Sequence, residues 1–444
     1  LDPGDLWGDF TKYISSFSLK SSDVPISPIP FLREFDQSYK AYIENGSPYS
    51  NDPRLIGDRL SNFHMPPFSV LVGKFLHFLS ITWGPSYTYF SLVLICAFVL
   101  ALMILNFSRR YKINTPLICL VYAGLLACYP IQFALFKGNT GAIITTFCIL
   151  LSAILLRLDS LLASYVFAVI GALNRPNMIF LPVLIFTYIY SSRFQGSQND
   201  SISRNARGAI IGIILFLASY SLFAVVLYLV DPSYNPSTFN IALKTFHYHM
   251  AFGDSGIAFG SSLFSLFKLV VKSLIFHSFL APISYSSYIA LDKLTVAFGV
   301  GMSIYALRQF IARKITLEAA WFFLIVFNLM ISPVFADYHL GIFFSVFLIL
   351  IPACSNNNQL REMTQSLSTL QLRYSYTIIY CAFMMSPMQV YILPSLFPWG
   401  VGVFIRPLLV LLAVYDLLIS KSILVNRIRD NVSLELMNGN NLSA

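Results

Sequence analysis

From residue 84 onward the chain is a succession of apolar blocks separated mostly by short polar turns. The blocks are continuous, rich in Leu, Ile and Phe, and show no strict polar alternation. They therefore predict helices and not the strands of a barrel. Most approach the roughly 20 residues a helix needs to cross about 30 Å of hydrocarbon. The predicted spans are 84–107, 115–135, 140–157, 159–174, 177–190, 208–230, 284–307, 317–335, 340–353, 374–393 and 400–419. Residues 66–80 are apolar but short and carry Lys74 and His77, which predicts an interfacial or re-entrant helix. Residues 1–65 are hydrophilic and hold nine of the 20 acidic residues of the chain. The expected fold class is all-α: a polytopic transmembrane helical bundle with a long first extracytoplasmic loop. Residues 1–80 form that loop and its interfacial helices. Residues 81–420 form the helical domain, with an outer loop at 231–283, and residues 421–444 form a cytoplasmic tail.

Composition agrees with the pattern. Hydrophobic residues make up 57% of the 444 and charged residues 11%, with a mean hydropathy of +0.70. A water-soluble protein carries about 25% charged residues, so this chain has too few to cover a water-facing surface. The formal charge of +9 sits mostly in short turns between apolar blocks, which suits membrane topology better than nucleic-acid binding. One alternating set of turns holds Arg109, Arg110, Lys112, Arg157, Arg193, Arg204, Arg207, Arg308, Arg313, Lys314, Arg361 and Arg373, and the tail adds Lys421, Arg427 and Arg429. By the positive-inside rule that set is cytoplasmic. Eleven spans then put the start outside and the end inside; a helix ahead of Leu1 would make both ends cytoplasmic. None of the six cysteines forms a CxxC pair, so neither a disulfide framework nor a zinc site is indicated.

Polar groups at the opposite set of turns invite a chemical reading, because charge at a membrane boundary is costly. Asp9, in Trp7-Gly8-Asp9-Phe10, can act as a general base, and Asp5 and Asp36 are rivals for that role. A solvated or N-capping aspartate fits the same position. Lys137-Gly138-Asn139 joins a phosphate-binding cation to a glycine that lets a ligand approach the backbone, although a plain helix cap fits too. Arg175, in Asn174-Arg175-Pro176, can grip a phosphate bidentately or snorkel to the headgroups. Asp337 and His339 pair a carboxylate with an imidazole, which can position a hydroxyl, or they merely cap a helix. His247 and His249 lack a clear third ligand for a metal.

Taken in order, these segments resemble glycosyltransferase family 87, a branch of the GT-C superfamily of polyprenyl-phosphate-sugar-dependent enzymes. Gly8-Asp9-Phe10 with Tyr13 is similar to the acidic start of the family's first outer loop, and Asn45-Gly46-Ser47-Pro48-Tyr49 to its G-x-P-Y segment. Phe63-His64-Met65-Pro66-Pro67-Phe68 is similar to its aromatic-Tyr-Pro-Pro segment, with Met65 for the Tyr. Gly138-Asn139 resembles its Gly-Gln-x-Asn turn with the Gln absent, and Leu173-Asn174-Arg175-Pro176 its Lys-Pro turn with Arg for Lys. Ser332-Pro333-Val334-Phe335-Ala336-Asp337-Tyr338-His339 resembles its Ser-Pro…Asp-His-Tyr turn with the last two exchanged. Each motif alone is weak; their shared order and shared face carry the resemblance.

The resemblance implies an inverting hexosyltransferase with a polyprenyl-phosphate-sugar donor and a cell-envelope glycan or glycolipid acceptor. It implies a bacterial inner-membrane location with the active site on the extracytoplasmic face. Asp9 or Asp36 would be the catalytic base. Lys137, Asn139 and Arg175 would hold the donor phosphate, and Asp337, His339 and His64 the sugar or acceptor. The expected partners are the lipid-linked donor, the acceptor and membrane lipids, with no metal or other cofactor and no nucleic acid. A lipid or glycan transporter and an envelope polysaccharide polymerase or ligase are the competing classes. A transporter would need a polar path, and few predicted spans carry charges at their centres.

Overall fold

A computed structural model describes residues 66–111, 113, 115–137, 140–193, 201–230, 263, 266, 285–331, 337–355, 377, 379–385 and 402–420. All regular structure among them is helical. In chain order the helices are α1 (Pro67–Trp83), α2 (Pro85–Tyr111), α3 (Thr115–Ala127), α4 (Tyr129–Lys137), α5 (Thr140–Arg157), α6 (Leu161–Asn174), α7 (Phe180–Arg193), α8 (Ser201–Val230), α9 (Tyr285–Ile311), α10 (Leu317–Ile331), α11 (Phe344–Ser355) and α12 (Gly402–Tyr415). Short 3-10 segments cover Pro176–Ile179 and Asp337–Phe343.

Burial sorts these helices into a centre and a periphery. In α10 every residue from Ala319 to Val326 is buried, and α5 is buried along most of its length. The long helices α2 and α8 lie outside them. On α2, Leu94, Ile95, Phe98 and Leu102 are exposed; on α8, Ile210, Ile214, Leu217, Leu222, Val225 and Leu229 are exposed. Water does not tolerate apolar faces of this extent, whereas lipid tails match them. Four helices (Tyr87–Tyr111, Thr140–Arg157, Ile202–Val230 and Lys293–Ile311) are long and apolar enough to cross a bilayer. The chain is a helical membrane protein.

Lipid offers helices little hydrophobic reason to associate, so small residues and interhelical hydrogen bonds do much of the joining. Between α5 and α6, Ser152 Oγ donates to the Ser164 carbonyl and Ser164 Oγ to the Ser152 carbonyl, both at 2.8 Å. Between α7 and α8 the close approach is made by Gly208 and Gly212. A Cβ at Gly208 would stand 3.0 Å from Tyr190 Cβ and 3.3 Å from Thr187 Cα.

The predicted span 115–135 is not one helix. It breaks at Cys128 into a 13-residue and a nine-residue piece. Pro130 has no N–H to offer the carbonyl of Leu126 four residues back. Gln132 Nε2 donates to that carbonyl at 2.6 Å and restores the lost bond. The segment at 66–80, expected as an interfacial or re-entrant helix, is helical. As α1 it runs to Trp83, buries Val70 and Leu76, and packs on α2, α6 and α8. Its Phe68 ring meets Phe223 edge-on at 5.0 Å.

The bundle has two chemically different ends. At one, Arg157 donates to Glu318 and, through Nε at 2.9 Å, to the Ile349 carbonyl, tying the end of α5 to α10 and α11. Arg110 pairs with Asp159, and Asn205 Nδ2 donates to the Ile311 carbonyl at 3.0 Å. These contacts bring Arg109, Arg110, Arg157, Arg204, Arg207, Arg308, Arg313 and Lys314 to the same end, the set of turns assigned to one side from sequence.

Candidate functional site

The other end is built on a pre-proline residue. Pro176 disfavours helical geometry in the residue before it, and Arg175 is extended at φ −140° and ψ 90°. Helix α6 therefore stops at Asn174. The Arg175 N–H still closes on the Gly171 carbonyl at 3.0 Å, and its carbonyl accepts from Met178 N at 2.9 Å as the 3-10 turn begins. The arginine is thereby fixed at the corner of two helical segments.

Asn174 locks this corner to its neighbours. Its Nδ2 donates to the Gly141 carbonyl at 2.6 Å and to Thr145 Oγ1 at 2.7 Å, both in the first turns of α5. Its Oδ1 accepts from the Ser69 hydroxyl on α1. Three helices thus meet at one buried amide. Beside it, Arg175 Nε donates to Asn177 Oδ1 at 3.2 Å, and Asn177 Nδ2 reaches the Asn328 carbonyl on α10 at 3.4 Å. Arg175 is half-buried and oriented by this neighbouring amide.

His339 joins from the 3-10 segment between α10 and α11. Burial first, and the Arg175 cation second, hold its imidazole well below its ordinary value. It is therefore neutral at pH 7, with one ring nitrogen able to donate and the other to accept. The segment packs on α4 and α5. At Gly341 the fit is tight: a Cβ there would stand 2.9 Å from Ile131 Cδ1 and 3.1 Å from Thr146 Cγ2. Helix α4 ends at Lys137, and Tyr89 Oη of α2 donates to its Leu135 carbonyl at 2.8 Å.

Of the residues singled out from sequence, Arg175 and His339 come together. Lys137 closes α4 at the same end, and Asp337 opens the 3-10 segment two residues before His339. Asp9, Asp36, His64 and Asn139 lie outside the described residues, as do Asp5, His247 and His249. The amides Asn174, Asn177 and Asn328 are not legible as a group from sequence; the signal for Asn328 is a single amide in an otherwise apolar block (FFLIVFNLMI). Arg406, 2% exposed inside α12, is hidden in the same way.

No family model, no curated protein and no solved structure matches the chain. The chemistry of this end must be read from its residues: a cation, a neutral imidazole and a set of amides. Such a group suits an anionic head that also carries hydroxyls.

Proposed function

We propose that the chain is a multi-pass, membrane-embedded glycosyltransferase that takes a sugar from a polyprenyl-phosphate donor. In this reading all eleven predicted spans cross the membrane, the basic end is cytoplasmic, and the Arg175 end works on the extracytoplasmic face of a bacterial inner membrane. One observation supports it above others. Arg175 and His339, 164 positions apart in sequence, act on each other at the end opposite the basic turns. The end of α4 that bears Lys137 is there as well.

The reaction takes the following course. A carboxylate of the first loop, Asp9 or Asp36, removes the acceptor hydroxyl proton. The acceptor oxygen bonds to the anomeric carbon from the face opposite the lipid phosphate, and configuration inverts. The bond from that carbon to the phosphate oxygen breaks, and its electron pair leaves with the phosphate. Arg175 and Lys137 stabilise the charge that develops there. Asp337, His339, His64 and Asn139 orient donor and acceptor.

The test is sugar transfer by the full chain in proteoliposomes loaded with a polyprenyl-phosphate hexose carrying a labelled sugar. Label should enter a glycan or glycolipid acceptor, and Asp9→Ala should abolish this without unfolding the protein. A dead Asp36→Ala beside an active Asp9→Ala moves the base to Asp36. Transport of the donor with no new glycosidic bond refutes the enzymatic reading, and products built from preformed chains indicate a polymerase or ligase.

A further inference from the structure

Asn328 is the innermost member of the polar corner and is fully buried on α10. Its Nδ2 donates to the Leu324 carbonyl at 2.8 Å, one turn back along its own helix. This fixes the amide orientation, because the flipped form would set Oδ1 against a carbonyl oxygen. The Oδ1 so fixed is buried, and no described residue donates to it. An acceptor left bare inside a membrane protein is costly, and no apolar side chain of similar size would incur that cost. The backbone carbonyl of the same residue faces Asn177, which in turn orients Arg175. Asn328 thus carries a bare side-chain acceptor on the same residue whose backbone carbonyl borders the candidate anion-binding corner.

We infer that Asn328 Oδ1 is the acceptor for a hydroxyl on the sugar head of the lipid-linked ligand. Asn328 then acts as a specificity-determining residue, while Arg175 meets the phosphate. An acceptor in this place answers to a hydroxyl and not to a phosphate oxygen or an acetamido carbonyl, neither of which has a proton to give. The inference rests on the donor reading given above and adds a residue that selects among heads.

The experiment compares binding of a polyprenyl-phosphate hexose with binding of its series of singly deoxygenated analogues, using the full chain in lipid nanodiscs. The wild-type protein should bind one member of the series roughly tenfold more weakly than the parent, as expected when one hydroxyl fails to meet a buried acceptor. Asn328→Leu should bind that analogue and the parent alike. Asn328→Ala guards against a leucine that does not fit and should also lose the discrimination. Discrimination that persists unchanged in both variants overturns the role of Asn328 and leaves the donor reading standing. Failure of the wild-type protein to bind any member of the series overturns the donor reading itself.

Discussion

Asn174→Ala is the substitution whose effect the structure specifies most closely. The side chain makes three hydrogen bonds to two other helices, and its partners Ser69 and Thr145 are themselves buried. A neutral hydrogen bond contributes about 0.5–1.5 kcal/mol net, and interhelical bonds within membranes average about 0.6 kcal/mol. Three such bonds make an expected loss of about 2–4 kcal/mol, the upper part reflecting the polar groups left without their partner. Asn174→Asp should be no better, since a carboxylate cannot donate to the Gly141 carbonyl. Ser69→Ala should cost about 0.5–1 kcal/mol. Combined with Asn174→Ala it should cost less than the sum, because one bond is shared. The measurement is reversible unfolding in mixed micelles, with a double-mutant cycle over the pair. A loss below about 0.5 kcal/mol for Asn174→Ala, or strict additivity with Ser69→Ala, would refute the view that this amide joins three helices.

Arg175→Gln should weaken binding of a polyprenyl-phosphate and also raise the pKa of His339 towards its ordinary value, measured by NMR of labelled histidine; an unchanged His339 titration would contradict their proximity. Because the folded value is depressed, the unfolded chain takes up this proton first. Stability should therefore fall as pH drops through about 6.5, and should fall less in His339→Gln, as melting between pH 5 and 8 will show. Arg157→Met leaves Glu318 without its cation in a partly buried place and should cost about 1–3 kcal/mol, whereas the Arg157→Met, Glu318→Gln double variant should recover part of this; both should keep wild-type ligand affinity. Gly341→Val forces a side chain into Ile131 and Thr146 and should cost about 1–3 kcal/mol while lowering transfer activity, read from melting and turnover together.

Periodicity located most of the helices because a hydrocarbon solvent leaves a crude, long-range mark on sequence. The pair α5 and α6 falls within a residue or two of the predicted 140–157 and 159–174. Pro130 was as visible as any residue, yet its effect was not foreseen. A proline in a membrane helix kinks or breaks it according to what satisfies the released carbonyl, and only the folded chain brings Gln132 to it. At the site, Arg175 and His339 were legible because a charge or imidazole at a boundary needs a reason. The amides were not. Asn174 looked like turn punctuation, and its three partners come from positions 29 to 105 residues away. Asn328 and Arg406 sit inside blocks whose average hydropathy hides them.

The break at Cys128 gives α4 a gearing of its own. A residue inserted within its nine would rotate the Lys137 position by about 100° and advance it by about 1.5 Å, so the lysine is set by counting from the break. Arg175 is placed differently, by Asn174 beside it and the first turns of α5. The two positions are thus set by different parts of the chain: α4 is held on the 3-10 segment through Ile131 and Gly341, and Arg175 on α5 through Asn174.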